Sequence, residues 1–268
     1  MSGDRVAPGA TAADRPPAEL GGTRAWSEVL WHDIECGAYV ADLPVWRSLA
    51  GDAGDGPVLD VGAGTGRVSL DLARAGHVVV ASDLDPDLLH TLASRAAAHG
   101  VAVRTVVADA RALALPGETF PLILVPMQTI QLLGGAEGRA AFLARARALL
   151  APGGRMAIAL ADALDVFDLD DGGDWDVLPD MRELDGVVYA SCPRAVRDRG
   201  DHVRLERSRE TILVDGTREV EDNVILLDRL DPAVLEAEGQ AAGLRPLPRL
   251  IIPPTDEHIG STVVMLGG

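Results

Sequence analysis

The amino-acid sequence predicts an α/β fold: a doubly wound parallel sheet that carries an antiparallel β insertion after its fifth strand. Three observations predict it. From about residue 57 to 160, short apolar runs alternate with helix-like segments. The runs are apolar throughout, the pattern of strands buried on both faces. Past about residue 162 they give way to longer alternating stretches, two of them joined by Asp215-Gly216, a dipeptide suited to a tight hairpin.

The elements follow in order. Val58–Val61 is the first strand, with a helix over Ser69–Ala75. His77–Ser82 is the second strand, and Pro86 sets the first turn of a helix over Asp87–His99. Val101–Val107 and Phe120–Val125 are the third and fourth strands. Gly138–Leu150 is a helix stopped by Pro152-Gly153-Gly154, and Arg155–Leu160 is the fifth strand. An acidic loop, Asp162–Asp176, leads into strands over Gly186–Ser191, His202–Val214 and Thr217–Leu227. In the second of these Val203, Leu205, Arg207 and Arg209 share one face, and Arg204, Glu206 and Ser208 the other. Asp231-Pro232 opens a helix to Ala242, and Leu247–Ile252 and Thr262–Leu266 are two final strands. The domain boundaries expected are a loose Ala/Gly/Pro-rich tail at 1–22, a helical cap at 23–50, a core at 51–161 and 231–268, and the insertion at 162–230.

Composition narrows the function. An apolar fraction of 47% fills a sizeable core, and a net charge of −17 opposes a phosphate backbone, so no nucleic-acid partner is expected. Every basic side chain is Arg. The lack of Lys removes a Walker-type phosphate lysine and a Schiff-base lysine. Cys36 and Cys192 lie far apart and form neither a metal cluster nor a disulfide framework. With no membrane-length apolar run and no signal pattern, a cytoplasmic location without a membrane partner is expected. Monomer and homodimer both remain open. The carboxylates of the acidic loop have no clear ligand geometry, so no metal is expected.

The most informative stretch is Val58–Arg67. Gly62, Gly64 and Gly66 alternate around Ala63 and Thr65, giving G-x-G-x-G with Asp60 two places ahead. Such a turn bends sharply, and the following helix aims its free N–H groups at a ligand. A dinucleotide fingerprint would be spaced G-x-G-x-x-G. Ligands of open α/β sheets sit beyond the carboxyl ends of the strands, so the other strand ends matter. Strand two ends in Asp83, where a carboxylate can accept two ribose hydroxyls. Strand three ends in Ala108-Asp109-Ala110, where a carboxylate and an N–H can read an adenine edge. Strand four ends in Pro126-Met127-Gln128.

Taken together, Val58–Arg67, Ala81–Asp85, Val107–Ala110 and Leu149–Gly154 resemble, in order and spacing, the motifs of class I S-adenosylmethionine-dependent methyltransferases. The resemblance implies a Rossmann-like sheet of seven strands, mostly parallel, with the last antiparallel. It implies S-adenosyl-L-methionine as cofactor, with Gly62, Ala63, Gly64, Thr65 and Gly66 around the methionine moiety, Asp83 on the ribose, Leu84 on the adenine face, and Asp109 and Ala110 on the adenine edge. Met127 and Gln128 would line the side where chemistry happens. Asp60 would brace the glycine turn or the cofactor ammonium. Asp85 is either a second ribose ligand or the cap of the helix at Pro86. One departure stands: the family often has Asp after the Phe that opens strand four, and here Pro121 follows Phe120.

Methyl transfer from a sulfonium is an in-line displacement that needs alignment and exclusion of water more than strong acid–base groups. The acceptor-side candidates are Tyr39 and His258, with His32 beside them in the sequence argument, and Gln128 and Gln131 at the pocket lip. No Asn/Asp-Pro-Pro-Tyr/Phe motif follows strand four, so transfer to a DNA base is not expected. The insertion and helical cap resemble the layout of small-molecule N-methyltransferases acting on glycine-like or amino-sugar substrates, and a small-molecule acceptor at N or O is expected. Arg194, Arg197, Arg204, Arg207 and Arg209 read either as an anion site or, preferentially, as a solvated face paired with Glu206, Glu210 and Glu219. Two other functions stay open: a non-catalytic S-adenosylmethionine-binding regulatory module and a nicotinamide-dependent oxidoreductase.

Overall fold

The computed structural model describes residues 23–161, 164–173, 177–255 and 258–268. The tail at 1–22, the ends of the acidic loop and Asp256-Glu257 lie outside the described residues. The chain divides into two compact units: one joins the residues up to Ala38 with Asp165–Leu227, the other joins Tyr39–Leu164 with Asp228–Gly268.

The larger unit is built on strands β1 (Val58–Val61), β2 (Val79–Asp83), β3 (Val103–Val107), β4 (Phe120–Val125), β5 (Leu150–Leu160), β11 (Arg245–Ile252) and β12 (Ser261–Gly267). They form one seven-stranded sheet in the order β11-β12-β5-β4-β1-β2-β3. β12 runs antiparallel to both β5 and β11, and the pairs among β1 to β5 are parallel. The seven-stranded sheet with an antiparallel last strand is thus as the resemblance implies. Helices α2 (Leu43–Asp52) and α3 (Arg67–Arg74) cover one face, and α5 (Gly135–Leu149) and α6 (Pro232–Ala241) the other.

Both faces are buried, which explains the uninterrupted apolar runs. Leu59, Ile123 and Ile158 point to the layer that holds Phe142, Leu143 and Leu235. Their neighbours Val58, Leu122 and Ala157 point to the layer that holds Trp46, Val68 and Leu72. Each fully buried Leu, Ile or Phe contributes about 1.5–3 kcal/mol of transfer free energy. Helix α4 (Pro86–Ala98) starts as its sequence dictates: Asp85 accepts from the N–H groups of Asp87 at 2.8 Å and Leu88 at 3.3 Å, with Pro86 in the first turn. That contact resolves Asp85 as the helix cap.

Several boundaries differ from the sequence expectation. Helix α3 begins at Arg67, directly after Gly66, and α5 begins at Gly135. Strand β5 runs from Leu150 through Pro152-Gly153-Gly154, which the sequence reads as a helix stop. The sheet takes up the irregular lead-in by a register shift between Phe120 and Leu122, and Gly154 packs closely on the Phe120 carbonyl.

The smaller unit holds α1 (Thr23–Cys36) and strands β6 (Phe167–Asp168), β7 (Asp180–Leu184), β8 (Val187–Asp198), β9 (His202–Ile212) and β10 (Arg218–Asp228, whose last residue falls in the larger unit). The sheet order is β10-β9-β8-β6, with β7 also paired to β8. The β9–β10 turn closes with the Leu213 N–H donating to the Thr217 carbonyl at 2.8 Å and Gly216 at φ +85°. Leu30, Trp31 and Ile34 of α1 pack with Leu184 and Tyr189. The stretch read as one cap, 23–50, therefore divides, α1 going with the antiparallel sheet and α2 with the parallel one.

The arginines of the insertion also divide. Arg197 and Arg204 pair with Glu206, as a solvated face would. Arg207 and Arg209 do not: both are buried. Arg209 grips Glu35 of α1 through Nε at 2.8 Å and Nη2 at 2.9 Å, and Arg207 donates to Ser191 Oγ at 2.8 Å and pairs with Asp180. A buried guanidinium needs a carboxylate in contact, and here α1 supplies it from far away in the sequence. Among the described residues no helix is long and apolar enough to cross a membrane.

Candidate active site

The glycine turn is pinned to its neighbouring strand. The N–H groups of Gly62 and Ala63 both donate to the Ser82 carbonyl, at 2.8 and 3.0 Å. Gly62 has φ +74°, and a Cβ there would lie 2.5 Å from the Thr129 side chain; Gly66 has φ +96°. Both positions exclude ordinary side chains, one by conformation and contact, the other by conformation against Leu92.

Asp83 knits three strand ends. Its Oδ2 accepts from the Gly64 N–H at 2.8 Å and its Oδ1 from the Asp85 N–H at 3.0 Å. Its carbonyl accepts from the Ala108 N–H at 2.9 Å. The residue is half-buried, and Leu84 beside it is 67% exposed, unusual for a Leu next to a buried strand. Asp109 accepts from the Arg111 N–H at 2.9 Å and pairs with its guanidinium at 2.6 Å. That guanidinium holds the Asp109 carboxyl below its ordinary pKa, and it already engages the group expected to read adenine. Ala110 opens a short 3-10 turn over Ala110–Ala112.

Asp60 lies fully buried in β1. Its Oδ2 accepts from Ser69 Oγ at 2.6 Å, so it braces helix α3 rather than the glycine turn itself. Its Oδ1 has no hydrogen-bond partner, and neither has the buried Ser82 hydroxyl on the adjacent strand. Burial pushes the Asp60 carboxyl up to about 6, against the bond from Ser69 and the charge of Arg67, with Asp83 and Asp42 adding to the rise.

Beyond β4 the chain bends at Met127, which takes φ +53°, a conformation rare outside Gly and Asn. Met127 and Gln128 are half-buried there. Gln131 is not at a lip. It is buried, its Nε2 donating to the Asp228 carbonyl at 3.0 Å and its Oε1 accepting from the Ala161 N–H at 2.8 Å. A side chain whose amide is used on both sides by backbone is a clamp on the end of β5, so its expected substrate role is corrected to a structural one.

Tyr39 and His258, far apart in sequence, meet in the larger unit with ring centroids 4.9 Å apart and near-perpendicular planes. The Tyr39 hydroxyl is buried without a hydrogen bond of ordinary length, Ser261 standing near it. Burial first, then the Asp42 carboxylate, raises its pKa above the ordinary phenol value. His32 lies on α1 in the other unit.

Four residues were not singled out from the sequence: Arg67, Asp42, Thr129 and Arg111. Only Arg67 had a signal, its place at the end of the glycine motif. A cavity of about 650 Å³ lies between α2 and the pair β11–β12, lined by Pro44, Val45, Leu49, Leu247, Ile251 and Met265. None of the strand-end residues lines it. Among the described residues no group of three or more His, Cys, Asp or Glu is placed to hold a metal ion.

Residues 58–154 match a family model described as a methyltransferase domain. An uncharacterised protein of Mycobacterium tuberculosis is 38% identical over 84 residues, 30% of this chain and 31% of that protein. The ubiquinone biosynthesis O-methyltransferase of Parvibaculum lavamentivorans is 35% identical over 101 residues, 38% of each. The matches thus span about a third of the length of these curated relatives. The fold is similar to the sugar N-methyltransferase KedS8 from Streptoalloteichus, with a TM-score of 0.67 at 19% identity, covering 97% of this chain and 98% of that one. It is similar also to DesVI of Streptomyces venezuelae, with a TM-score of 0.67 at 21% identity, covering 91% and 98%. With its strand order, its glycine turn and its acidic strand ends, the segment 58–154 is similar to the methyltransferase domain that the family model describes.

Proposed function

We propose that this protein transfers a methyl group from S-adenosylmethionine to a nitrogen or oxygen of a small molecule by in-line displacement. The observation that carries the reading is the knot at Asp83, where one half-buried residue fixes the glycine turn and the start of α4 through its carboxylate and the end of β3 through its backbone carbonyl. The residues present fit the cofactor. Asp83 keeps acceptor capacity for two ribose hydroxyls beyond its two N–H bonds, Leu84 offers an exposed apolar face, and Asp60 and Ser82 hold buried oxygens without partners beside the turn.

In this reading Gly62, Ala63, Gly64, Thr65 and Gly66 seat the methionine moiety, Asp60 answers its ammonium, and Asp109 and Ala110 take the adenine edge. Met127 and Gln128 border the methyl. The cofactor supplies an electrophilic methyl on a good leaving group. The chain's own task is to align the acceptor and exclude water. Tyr39 and His258 stand as the acceptor-side pair: His258 takes the proton that an amine or hydroxyl gives up, and Tyr39 orients it. The sugar N-methyltransferase and the quinone-pathway O-methyltransferase among the similar proteins support a small acceptor and leave both atoms in play.

Calorimetry with S-adenosylhomocysteine tests the cofactor: binding to the wild type, lost in Asp83→Ala, is expected, and a folded wild type that binds none overturns the reading. Incubation with labelled S-adenosylmethionine and a small-molecule extract tests transfer. A labelled product separates an enzyme from a binding module.

A further inference from the structure

We propose that Arg67 is a positioning residue that couples occupancy of the glycine turn to the placement of Tyr39, through a clamp made with Asp42. The inference rests on the methyltransferase reading and deepens it. Arg67 is the first residue of α3 and directly follows Gly66, so its backbone continues straight from the turn. Its side chain is spent entirely in one direction. Nη1 donates to the Tyr39 carbonyl at 2.8 Å, and the fork closes on the Asp42 carboxylate through Nη1 at 2.5 Å and Nη2 at 2.8 Å. The guanidinium carbon lies 5.1 Å from the centre of the Tyr39 ring.

Asp42 cannot let go cheaply. Its side chain is 1% exposed, and it also accepts from Trp46 Nε1 at 2.7 Å, so its withdrawal would strand two buried donors. Tyr39, by contrast, is not held firmly by its own hydroxyl, which makes no hydrogen bond of ordinary length and has only Ser261 near it. What fixes its ring is the guanidinium over one side and the His258 edge contact. A planar two-pronged cation suits this task and an ammonium does not: Lys reaches one carboxylate oxygen as a point charge and cannot stack flat on the ring. A shift of the turn when a ligand seats would therefore be read at Tyr39, on the acceptor side, and equally at Trp46 through Asp42.

Trp46 supplies the probe. The wild type is titrated with S-adenosylhomocysteine while the indole Nε1–H resonance of Trp46, assigned by its loss in Trp46→Phe, is followed by NMR, and binding is measured in parallel by calorimetry. The expected result is a shift of that resonance in step with binding. In Arg67→Lys and in Arg67→Met, binding weakens about five- to tenfold, as a coupled pair of sites would, and the Trp46 shift is lost in both. Binding to the wild type with a motionless Trp46 resonance overturns the coupling while the methyltransferase reading stands, and this arm needs no variant to fold. Wild-type-like shifts in a folded Arg67→Lys overturn it as well. Absence of any binding to the wild type overturns the methyltransferase reading, and the coupling with it.

Discussion

The Asp83 carboxylate holds the Gly64 N–H at 2.8 Å across nineteen residues of sequence. It is a charged acceptor on a backbone donor, so the turn is fixed more firmly than a neutral bond would fix it. Replacement by Asn keeps the size and one oxygen but removes the charge that ribose hydroxyls would meet. Asp83→Asn is expected to weaken S-adenosylhomocysteine binding about 10- to 100-fold, the equivalent of one or two charge-assisted bonds, and to lower the urea midpoint as well, since the amide has one oxygen for the two N–H groups of Gly64 and Asp85. Calorimetry beside urea unfolding checks it, and equal affinity in the variant would exclude Asp83 from the ligand.

Two glycines separate conformation from space. Gly62 combines φ +74° with a Cβ contact of 2.5 Å to Thr129, whereas Gly51 sits in α2 with nothing within 4 Å of its Cβ. Gly62→Ala is expected to cost about 2–4 kcal/mol from backbone strain and overlap. Gly51→Ala is expected to stabilise by about 0.5–1 kcal/mol through loss of unfolded-state freedom. Chemical denaturation of the pair checks both signs, and equal effects would refute the strain at Gly62.

Glu35 carries the charge balance of the smaller unit. Burial opposes its ionisation, but the bonds from Arg209 and Ser191 and the charge of Arg207 prevail, so its pKa is lowered. A lowered carboxylate stabilises above its unfolded value of about 4.5, and that stability disappears as pH falls through the folded value. Glu35→Gln leaves two buried guanidinium groups short of a charge and is expected to cost about 3–5 kcal/mol near neutral pH. Trp31, whose ring lies 5.4 Å from Arg209, reports the loss by fluorescence. The deficit should shrink as pH falls through the lowered folded-state value, where the wild-type Glu35 takes up its own proton. A deficit that stays the same as the pH is lowered would remove Glu35 from the ionic network.

The strand ends of the parallel sheet were legible because each apolar run stops at a residue that cannot continue it. Gly62 needs a positive φ, Asp83 leaves the buried layer, and Pro126 ends the ladder. Asp85 was legible only to an alternative, since a carboxylate before Pro reads equally as ligand and cap. The buried state of Arg207 and Arg209 was not legible. Alternation puts them on one face of β9, but their partner Glu35 lies 174 residues from Arg209, and local pattern carries no such pairing. Gln131 misled for a similar reason, its partners Ala161 and Asp228 being brought together only by the sheet. The Arg67–Asp42 clamp escaped notice because the glycine motif explains Arg67 locally and nothing near Asp42 asks for a cation.

Asp60 makes the pH dependence of the larger unit testable. Its folded pKa is about 6 against 3.8 in the open chain, so the native state binds a proton that the unfolded chain releases. A raised carboxyl stabilises fully below about pH 4, and that stability is lost as pH rises through about 6, roughly 3 kcal/mol in all. Asn cannot ionise but still offers an oxygen to Ser69 Oγ, so Asp60→Asn removes the titration and retains the brace. An amide N–H2 placed where Oδ1 has no partner adds a fixed offset that does not vary with pH. Relative to wild type, the variant should therefore gain up to roughly 3 kcal/mol in urea stability between about pH 4 and about pH 7, with no further gain above that. Unfolding curves for both proteins across that range measure the difference directly. If it stays constant with pH, Asp60 is charged in the folded protein throughout, and its burial beside Ser69 does not govern its proton.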